Sequence, residues 1–280
     1  PMSQLLQPVP SVFSVSSFNV RGLSSNTKKQ LLAEDLRCYK IQICSLQETK
    51  IQDGYDGVHG DYRIVCLSST CRHYGNGFAI HHSLLDRVYR IWSESDRVAV
   101  LQIRLSKNKL LSLVSVYAPT STRVAQDQDC LDDFYSSLNA AVAKVKSSSI
   151  FLVLGDFNAK LGTQNKSLHQ CIGRYGRGRQ NYSGKVLADY CDSASLFACS
   201  TAFQHPARHC TTWTGWRKNN SSGGAPIPIY NQIDYILCST RQRQLFTDAR
   251  SYAGTLLDSD HGLLVARMKL DRLRGVWGPI

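Results

Sequence analysis

Four short polar motifs stand far apart in this chain: Phe18-Asn19-Val20, Gln47-Glu48-Thr49, Gly155-Asp156-Phe157-Asn158 and Ser259-Asp260-His261. Between them lie three carboxylates, two asparagine amides and a histidine. Gathered in one place, such a set binds a hard divalent cation and activates water against a phosphate. Asp234, in Gln232-Ile233-Asp234-Tyr235, offers a carboxylate that can orient the His261 imidazole. Each signal alone has a plainer explanation. Asn19 can close a turn, Glu48 can be an ordinary strand-end carboxylate, and Tyr117 in Val116-Tyr117-Ala118-Pro119 can be a strand-end aromatic. Ser259-Asp260-His261 can cap a loop. Gly155-Asp156-Phe157-Asn158 is more pointed, because an acid and an amide two apart, straight after an apolar run, project towards one cleft. The joint occurrence of the motifs, in this order, is the specific feature.

The elements that would carry them can be read from periodicity. Residues 13–20 read as a strand, a second strand ends at Glu48, and the run 150–154 leads into the Gly-Asp-Phe-Asn motif. Strands rich in β-formers are expected at 62–67, 77–80, 98–105, 110–117, around 210–213, at 233–238 and at 263–268. Helices are expected over 28–39, 127–145 and 185–196; in the second, Leu131, Phe134, Leu138 and Val142 form a stripe. A loop at 173–184 carries Arg174, Arg177 and Arg179, with Lys185 beside it. A second loop, 214–232, carries Trp216, Arg217 and Lys218 and is stiffened by Pro226 and Pro228. Its aromatic wedge and two cations suit a minor groove, though a tolerated surface insertion would read the same way. Residues 13–270 are expected to be one domain, 1–12 a disordered or appended N-terminus, and 271–280 a tail or the start of a linker.

At 280 residues the chain can bury a large α/β core. Its 33 Lys+Arg against 21 Asp+Glu give a net charge of +12, which favours polyanionic partners. No apolar run approaches a membrane span, and the first ten residues lack the charged and apolar regions of a signal peptide. None of the ten cysteines forms a C-x-x-C pair, and Cys44, Cys66, Cys199 and Cys238 sit in apolar runs. That pattern argues against a zinc site or a disulfide framework and for a reducing compartment.

With Leu46-Gln47-Glu48-Thr49-Lys50, Val116-Tyr117-Ala118-Pro119-Thr120, Gly155-Asp156-Phe157-Asn158-Ala159, Thr212-Trp213-Thr214, Asn231-Gln232-Ile233-Asp234-Tyr235-Ile236 and Ser259-Asp260-His261 in view, the chain resembles the endonuclease/exonuclease/phosphatase superfamily. That group includes DNase I and the exonuclease-III-like apurinic endonucleases. The chain is most similar to the endonuclease domain of non-LTR, LINE-type retrotransposons, and the stretch 172–191 resembles their RTE branch. The resemblance implies a four-layer α/β sandwich, two mainly antiparallel sheets flanked by helices.

The resemblance also implies roles. Glu48 matches the principal Mg²⁺ ligand, for which Mn²⁺ can substitute, with Asn19 beside it and Asp260 a further carboxylate of that region. Asp156 matches the residue that orients or deprotonates the attacking water, Asn158 its phosphate-holding partner, and Tyr117 and Thr212 phosphate contacts. His261 matches the histidine that donates to a non-bridging oxygen, fixed by Asp234. One departure matters: Arg21 stands where apurinic endonucleases carry an aspartate, which argues against repair and for nicking intact duplex. The expectation is therefore an Mg²⁺-dependent enzyme that nicks one strand of double-stranded DNA, leaving a 5′-phosphate and a 3′-hydroxyl. That hydroxyl would prime reverse transcription by a reverse transcriptase in the same polyprotein. The domain would be a monomer, made in the cytoplasm and acting in the nucleus. An apurinic-type repair enzyme, another phosphoesterase of the superfamily and a domesticated DNA-binding module are the alternatives.

Overall fold

The computed structural model describes residues 12–145, 150–163, 169–219 and 224–270. In chain order they form β1 (Val12–Asn19), α1 (Asn26–Cys38), β2 (Ile43–Gln47), β3 (Tyr55–His59), β4 (Tyr62–Cys66), β5 (Asn76–His81), β6 (Val88–Ser95), β7 (Val98–Ser106) and β8 (Lys109–Tyr117). Then follow α2 (Ser121–Gln126), α3 (Asp129–Val145), β9 (Ile150–Asp156), α4 (Tyr182–Ser193), β10 (Leu196–Ala198), α5 (Ala207–Cys210), β11 (Trp213–Arg217), β12 (Ile227–Asn231), β13 (Asp234–Ser239), β14 (Phe246–Tyr252) and β15 (Leu263–Lys269).

Two sheets stack face to face. One runs β14-β15-β1-β2-β5-β4-β3, the other β10-β13-β9-β8-β7-β6. Each is antiparallel except for one parallel pair, β1–β2 and β8–β9. Alternation along β1 explains the layering. Phe13 and Val15 face the other sheet and pack with Leu113, Leu152 and Leu154, whereas Phe18 packs with Leu32 and Leu36 of α1. On the far side, Phe134 and Leu138 of α3 and Leu187 of α4 cover Val114 and Val153. The result is the α/β four-layer sandwich expected from the sequence. Among the described residues, no helix is long and apolar enough to cross a membrane.

Towards the ends of β2 and β8 the packing between the sheets turns polar. Gln47 accepts from Ser17 Oγ at 3.0 Å and donates to Ser45 Oγ at 2.7 Å and Ser115 Oγ at 3.1 Å; Ser115 in turn donates to Asn76 at 3.0 Å. Each of these residues is buried. A satisfied buried hydrogen bond contributes about 1 kcal/mol, whereas one lost partner leaves a costly orphan, so this seam fixes how the sheets meet beneath Glu48.

Several expectations need correction. The third helix spans Tyr182–Ser193 instead of 185–196, because Asn181 caps it and Ser195, at φ +54°, ends it before β10. The second starts at Asp129, since Asp127 is the extended C-cap of the separate helix α2. Residues around Cys210 form the short helix α5, and the strand starts only at Trp213. The expected loop 214–232 is largely a hairpin, in which Trp213 pairs with Asn231 and Arg217 with Ile227; residues 220–223 lie outside the described residues. Val12 belongs to β1, whereas 1–11 and 271–280 lie outside the described residues.

Candidate active site

The strand registers bring the motifs together. Asp156 sits opposite Tyr117 on one side and Asp234 on the other, at matched ends of β8, β9 and β13. Asn19 ends β1 opposite Gln47, so Glu48 emerges beside it. A side chain at Gly155 would collide with the Val116 carbonyl, so glycine is what lets β9 lie close enough to β8. His261 arrives through an isolated bridge to Trp213, and Gly262 N donates to Thr212 O at 2.8 Å.

Asp156 and His261 line a cleft of about 360 Å³ whose walls include Arg21, Glu48, Tyr117, Asn158 and Asp260, with Asn19 and Asp234 buried beneath it. Asn19 is fully buried, and its Nδ2 donates to Glu48 Oε1 at 2.9 Å and Asp156 Oδ2 at 3.0 Å. Its Oδ1 accepts from Arg21 N at 3.2 Å, so the amide has one satisfied orientation. One side chain thus sets the spacing of two carboxylates. Asn158 N donates to Asp156 Oδ1 at 2.9 Å, and Asn158 Nδ2 donates to Ala118 O at 2.9 Å. Arg21, Glu48, Lys50 and Asn158 all take positive φ, from +46° to +57°. Such left-handed positions cost energy in non-glycine residues and persist where their surroundings hold them. Here Thr49 N donates to Gly75 O at 3.1 Å and Lys50 N to Tyr74 O at 2.9 Å.

The electrostatics divide the acids. Asp234 holds His261 Nδ1 at 3.0 and 3.2 Å, while His261 Nε2 lies 3.7 Å from Asp156 Oδ2. Burial opposes charge on the imidazole, but Asp234 and then Asp156 outweigh it and push its pKa up to about 9. Burial, reinforced by Asp234, raises Asp156 to about 7. Glu48 goes the other way: burial raises it, yet Asn19, Lys50 and the Tyr117 hydroxyl together hold it below the usual glutamate value. The cleft thus combines a charged imidazole, a carboxyl poised near neutrality and a carboxylate kept ionised.

The donors suit a hard cation. Asp260 Oδ2 accepts from Trp213 Nε1 at 3.0 Å and pairs with Arg21 at 2.8 Å, but its buried Oδ1 has no hydrogen-bond partner. Glu48 Oε2 pairs with Lys50 Nζ at 3.0 Å. Carboxylate oxygens of Glu48 and Asp260, with Asn19 beside them, are the ligands that fit. Asp156, Asp234 and His261 also cluster within 4.8 Å of one another. An ion there would compete with the Asp234–His261 hydrogen bonds.

The other expected residues are placed as follows. Tyr117 lines the cleft, mostly buried. Thr212 is buried, does not line the cleft, and accepts from the amides of Ile233 and Asp234 at 3.0 Å each, which makes it a support behind Asp234. Arg174 and Arg179 are exposed outside the cleft; Arg177 Nη1 donates to Ala207 O at 3.3 Å. Trp216, Arg217 and Lys218 are exposed on the hairpin. A groove beside the cleft is lined by Arg21, Lys28, Lys50 and Trp216 together with Thr214, Asp258, Ser259 and Asp260. The partnerships of Trp213 and Lys50 were not foreseen from the sequence. Both residues lay inside quoted motifs, and a polar tip next to an acidic motif is the signal that could have found them.

A two-sheet α/β sandwich with this acidic and imidazole cleft defines a hydrolase of phosphoester bonds. The sequence matches the Endonuclease/Exonuclease/phosphatase family over residues 16–261, and the chain belongs to that family. It is 28% identical over 260 residues to craniofacial development protein 2 of Tragulus javanicus and 27% over 261 residues to that of Bos taurus. Each alignment covers 92% of this chain but only 42% and 41% of those proteins. The fold is shared with the endonuclease domain of TRAS1, a telomere-specific non-LTR retrotransposon (TM-score 0.62, 15% identity, 92% of this chain and 99% of that one). It is shared with the AP endonuclease LMAP of Leishmania major (0.67, 15%, 92% and 88%) and an AP endonuclease of Archaeoglobus fulgidus (0.65, 15%, 92% and 100%).

Proposed function

We propose that this domain is an Mg²⁺-dependent endonuclease that nicks one strand of duplex DNA to prime reverse transcription of a retrotransposon. The observation that carries the reading is the meeting of Glu48, Asn19, Asp156, Asn158 and the Asp234–His261 pair around one cleft. Asp156 accepts the proton of the attacking water, and Asn158 steadies that carboxylate through its amide N–H. His261, kept charged by Asp234, faces the negative charge that grows on the phosphoryl oxygens. Tyr117, which lines the same cleft, contacts the same phosphate. Glu48 and Asp260, with Asn19, would hold the divalent cation, which supplies further positive charge at that phosphate. In-line attack of the water oxygen at phosphorus forms one P–O bond and breaks the bond to the 3′ oxygen. That oxygen leaves and takes a proton from solvent, so the products are a 5′-phosphate and a 3′-hydroxyl, the end a polymerase extends. The likeness to the TRAS1 domain and the motif resemblance support the retrotransposon origin.

Two observations favour other readings. The AP endonuclease neighbours fit a repair enzyme, but Arg21, paired with Asp260, adds a cation at the rim of the site. The curated mammalian relatives carry a different name, which fits a domesticated copy serving a host.

Supercoiled plasmid incubated with Mg²⁺, and in parallel with EDTA, separates these readings. Open circles should precede linear molecules, vanish in EDTA, and be extended by a DNA polymerase without prior phosphatase treatment. No cleavage in Mg²⁺ would favour a DNA-binding module. A strong preference for a tetrahydrofuran-containing oligonucleotide over its intact twin would favour repair.

A further inference from the structure

Behind Tyr117 stands Arg97, a half-buried residue in the turn between β6 and β7 that no motif singles out. Its backbone and side chain both engage Tyr117: Tyr117 N donates to Arg97 O at 2.9 Å, and Arg97 Nη1 donates to Tyr117 O at 3.1 Å. The guanidinium lies 4.0 Å from the centre of the Tyr74 ring and 5.3 Å from that of Tyr117. The two rings meet edge to face, 6.0 Å apart. Tyr74 belongs to the segment that clamps the Glu48 turn, since its carbonyl accepts from Lys50 N at 2.9 Å.

Two arms therefore run from one guanidinium to one carboxylate. The first passes through Tyr117, whose hydroxyl is turned to Glu48. The second passes through Tyr74 to Lys50, whose Nζ sits 3.0 Å from Glu48 Oε2. Glu48 itself holds a left-handed backbone that needs such support. A planar cation between two rings can also fix their relative orientation, which an aliphatic side chain cannot.

We infer that Arg97 is a positioning residue that holds Tyr117 and the Thr49–Lys50 backbone around Glu48, and thereby tunes the cleft for a divalent cation and the scissile phosphate. The inference rests on the endonuclease reading for its consequence, but its geometry is testable in metal-free protein.

The experiment compares wild type, Arg97→Met, Arg97→Lys and Tyr117→Phe. Four quantities are read: the Tyr117 resonance in ¹³Cζ-tyrosine-labelled, metal-free protein; Mn²⁺ affinity without DNA; kcat and KM for nicking at saturating metal; and the melting temperature. Arg97→Met should move the Tyr117 resonance, weaken Mn²⁺ binding by about 10–100-fold, as loss of an outer-sphere support does, and lower kcat more than it raises KM. Arg97→Lys should recover part of each loss, and Tyr117→Phe, which lacks the hydroxyl turned to Glu48, assigns the Tyr117 resonance. An unmoved Tyr117 resonance with wild-type Mn²⁺ affinity would overturn the inference, even if stability drops. A rise in KM alone would overturn it too, making Arg97 a DNA contact. If Arg97→Met does not fold, Arg97→Lys decides: a wild-type resonance and affinity would count against the inference, and an intermediate value would support it. Wild-type protein that binds Mn²⁺ yet cuts no DNA would sink the endonuclease reading and leave the resonance and affinity arms to judge Arg97.

Discussion

The floor of the cleft and the hairpin beside it are built on opposite terms. Asn19, Asp156 and Asp234 are at most 1% exposed, and each is hydrogen-bonded to a neighbour from another strand or segment. Trp216, on β11, is 69% exposed, and its cross-strand partner is Pro228. The groups proposed to break the bond are thus fixed by two sheets and a buried polar seam, whereas Trp216, Arg217 and Lys218 on the hairpin are exposed. Yet the two regions touch: Thr214 N donates to Asp260 O at 2.9 Å, and Trp213 holds the Asp260 carboxylate. The proposed chemistry and the proposed target grip share a base but not a structure, so they should separate under mutation.

The sharpest break is at the floor. Asp156→Ala and His261→Ala should each lower nicking by about 10²–10⁴-fold, the scale of losing a general base or an electrostatic stabiliser. Because both residues are buried instead of merely lining an open cleft, each truncation should also cost about 1–3 kcal/mol by orphaning its partner. Plasmid nicking and a thermal melt on the same preparation measure both. Near-normal cutting by either folded variant would remove it from the mechanism.

A subtler change tests the Asp234–His261 pair. Asp234→Asn should bring the His261 pKa down from about 9, since Asp234 is the main group opposing burial there. The sign follows from linkage. A raised folded-state pKa means that the stability from His261 protonation is fully present below about 6.5, the unfolded value, and is lost as pH rises through the folded value. In Asp234→Asn this alkaline loss should shift to lower pH, with nicking reduced about tenfold or more. Nitrogen-detected NMR of the metal-free protein reads the titration directly, and an unmoved His261 would show that its charge comes from elsewhere.

The mildest effect is expected at the hairpin. Replacing residues 216–228 by a short Gly-Ser turn should keep metal-dependent nicking, weaken duplex binding by no more than about tenfold, the scale of one aromatic contact, and redistribute the nicks on a mapped duplex. An unchanged map at unchanged affinity would show that target choice lies outside this hairpin.

The sequence was most readable where strands lie inside a sheet. β1, β2, β5, β7, β8, β9, β13 and β15 have neighbours on both sides; apolar runs announced all but β1, whose loose alternation did. Five strands went unread, β3, β6, β10, β12 and β14; four of them are the edges of the two large sheets, and β12 pairs only with β11. An edge strand pairs on one side only, so its sequence is shorter or more polar; Tyr55–His59 alternates between half-buried and exposed positions without a fully buried one. The site followed the same division. Motif residues at strand ends could be named in advance, but Thr212 as a backbone support, Trp213 as a partner of Asp260, and Arg97 depend on contacts across turns that no local pattern encodes.

The pairing of β1 with β15 fixes where the first and last described strands lie. Val12 lies opposite Lys269, so the first and last described strands start and finish side by side. β1 carries the chain over its eight residues to Asn19, roughly 23 Å at about 3.3 Å per step, before it reaches the cleft. The first and last described strands therefore begin and end at the pole opposite the cleft. Both described ends sit at one pole, and neither Val12 nor Lys269 borders the cleft.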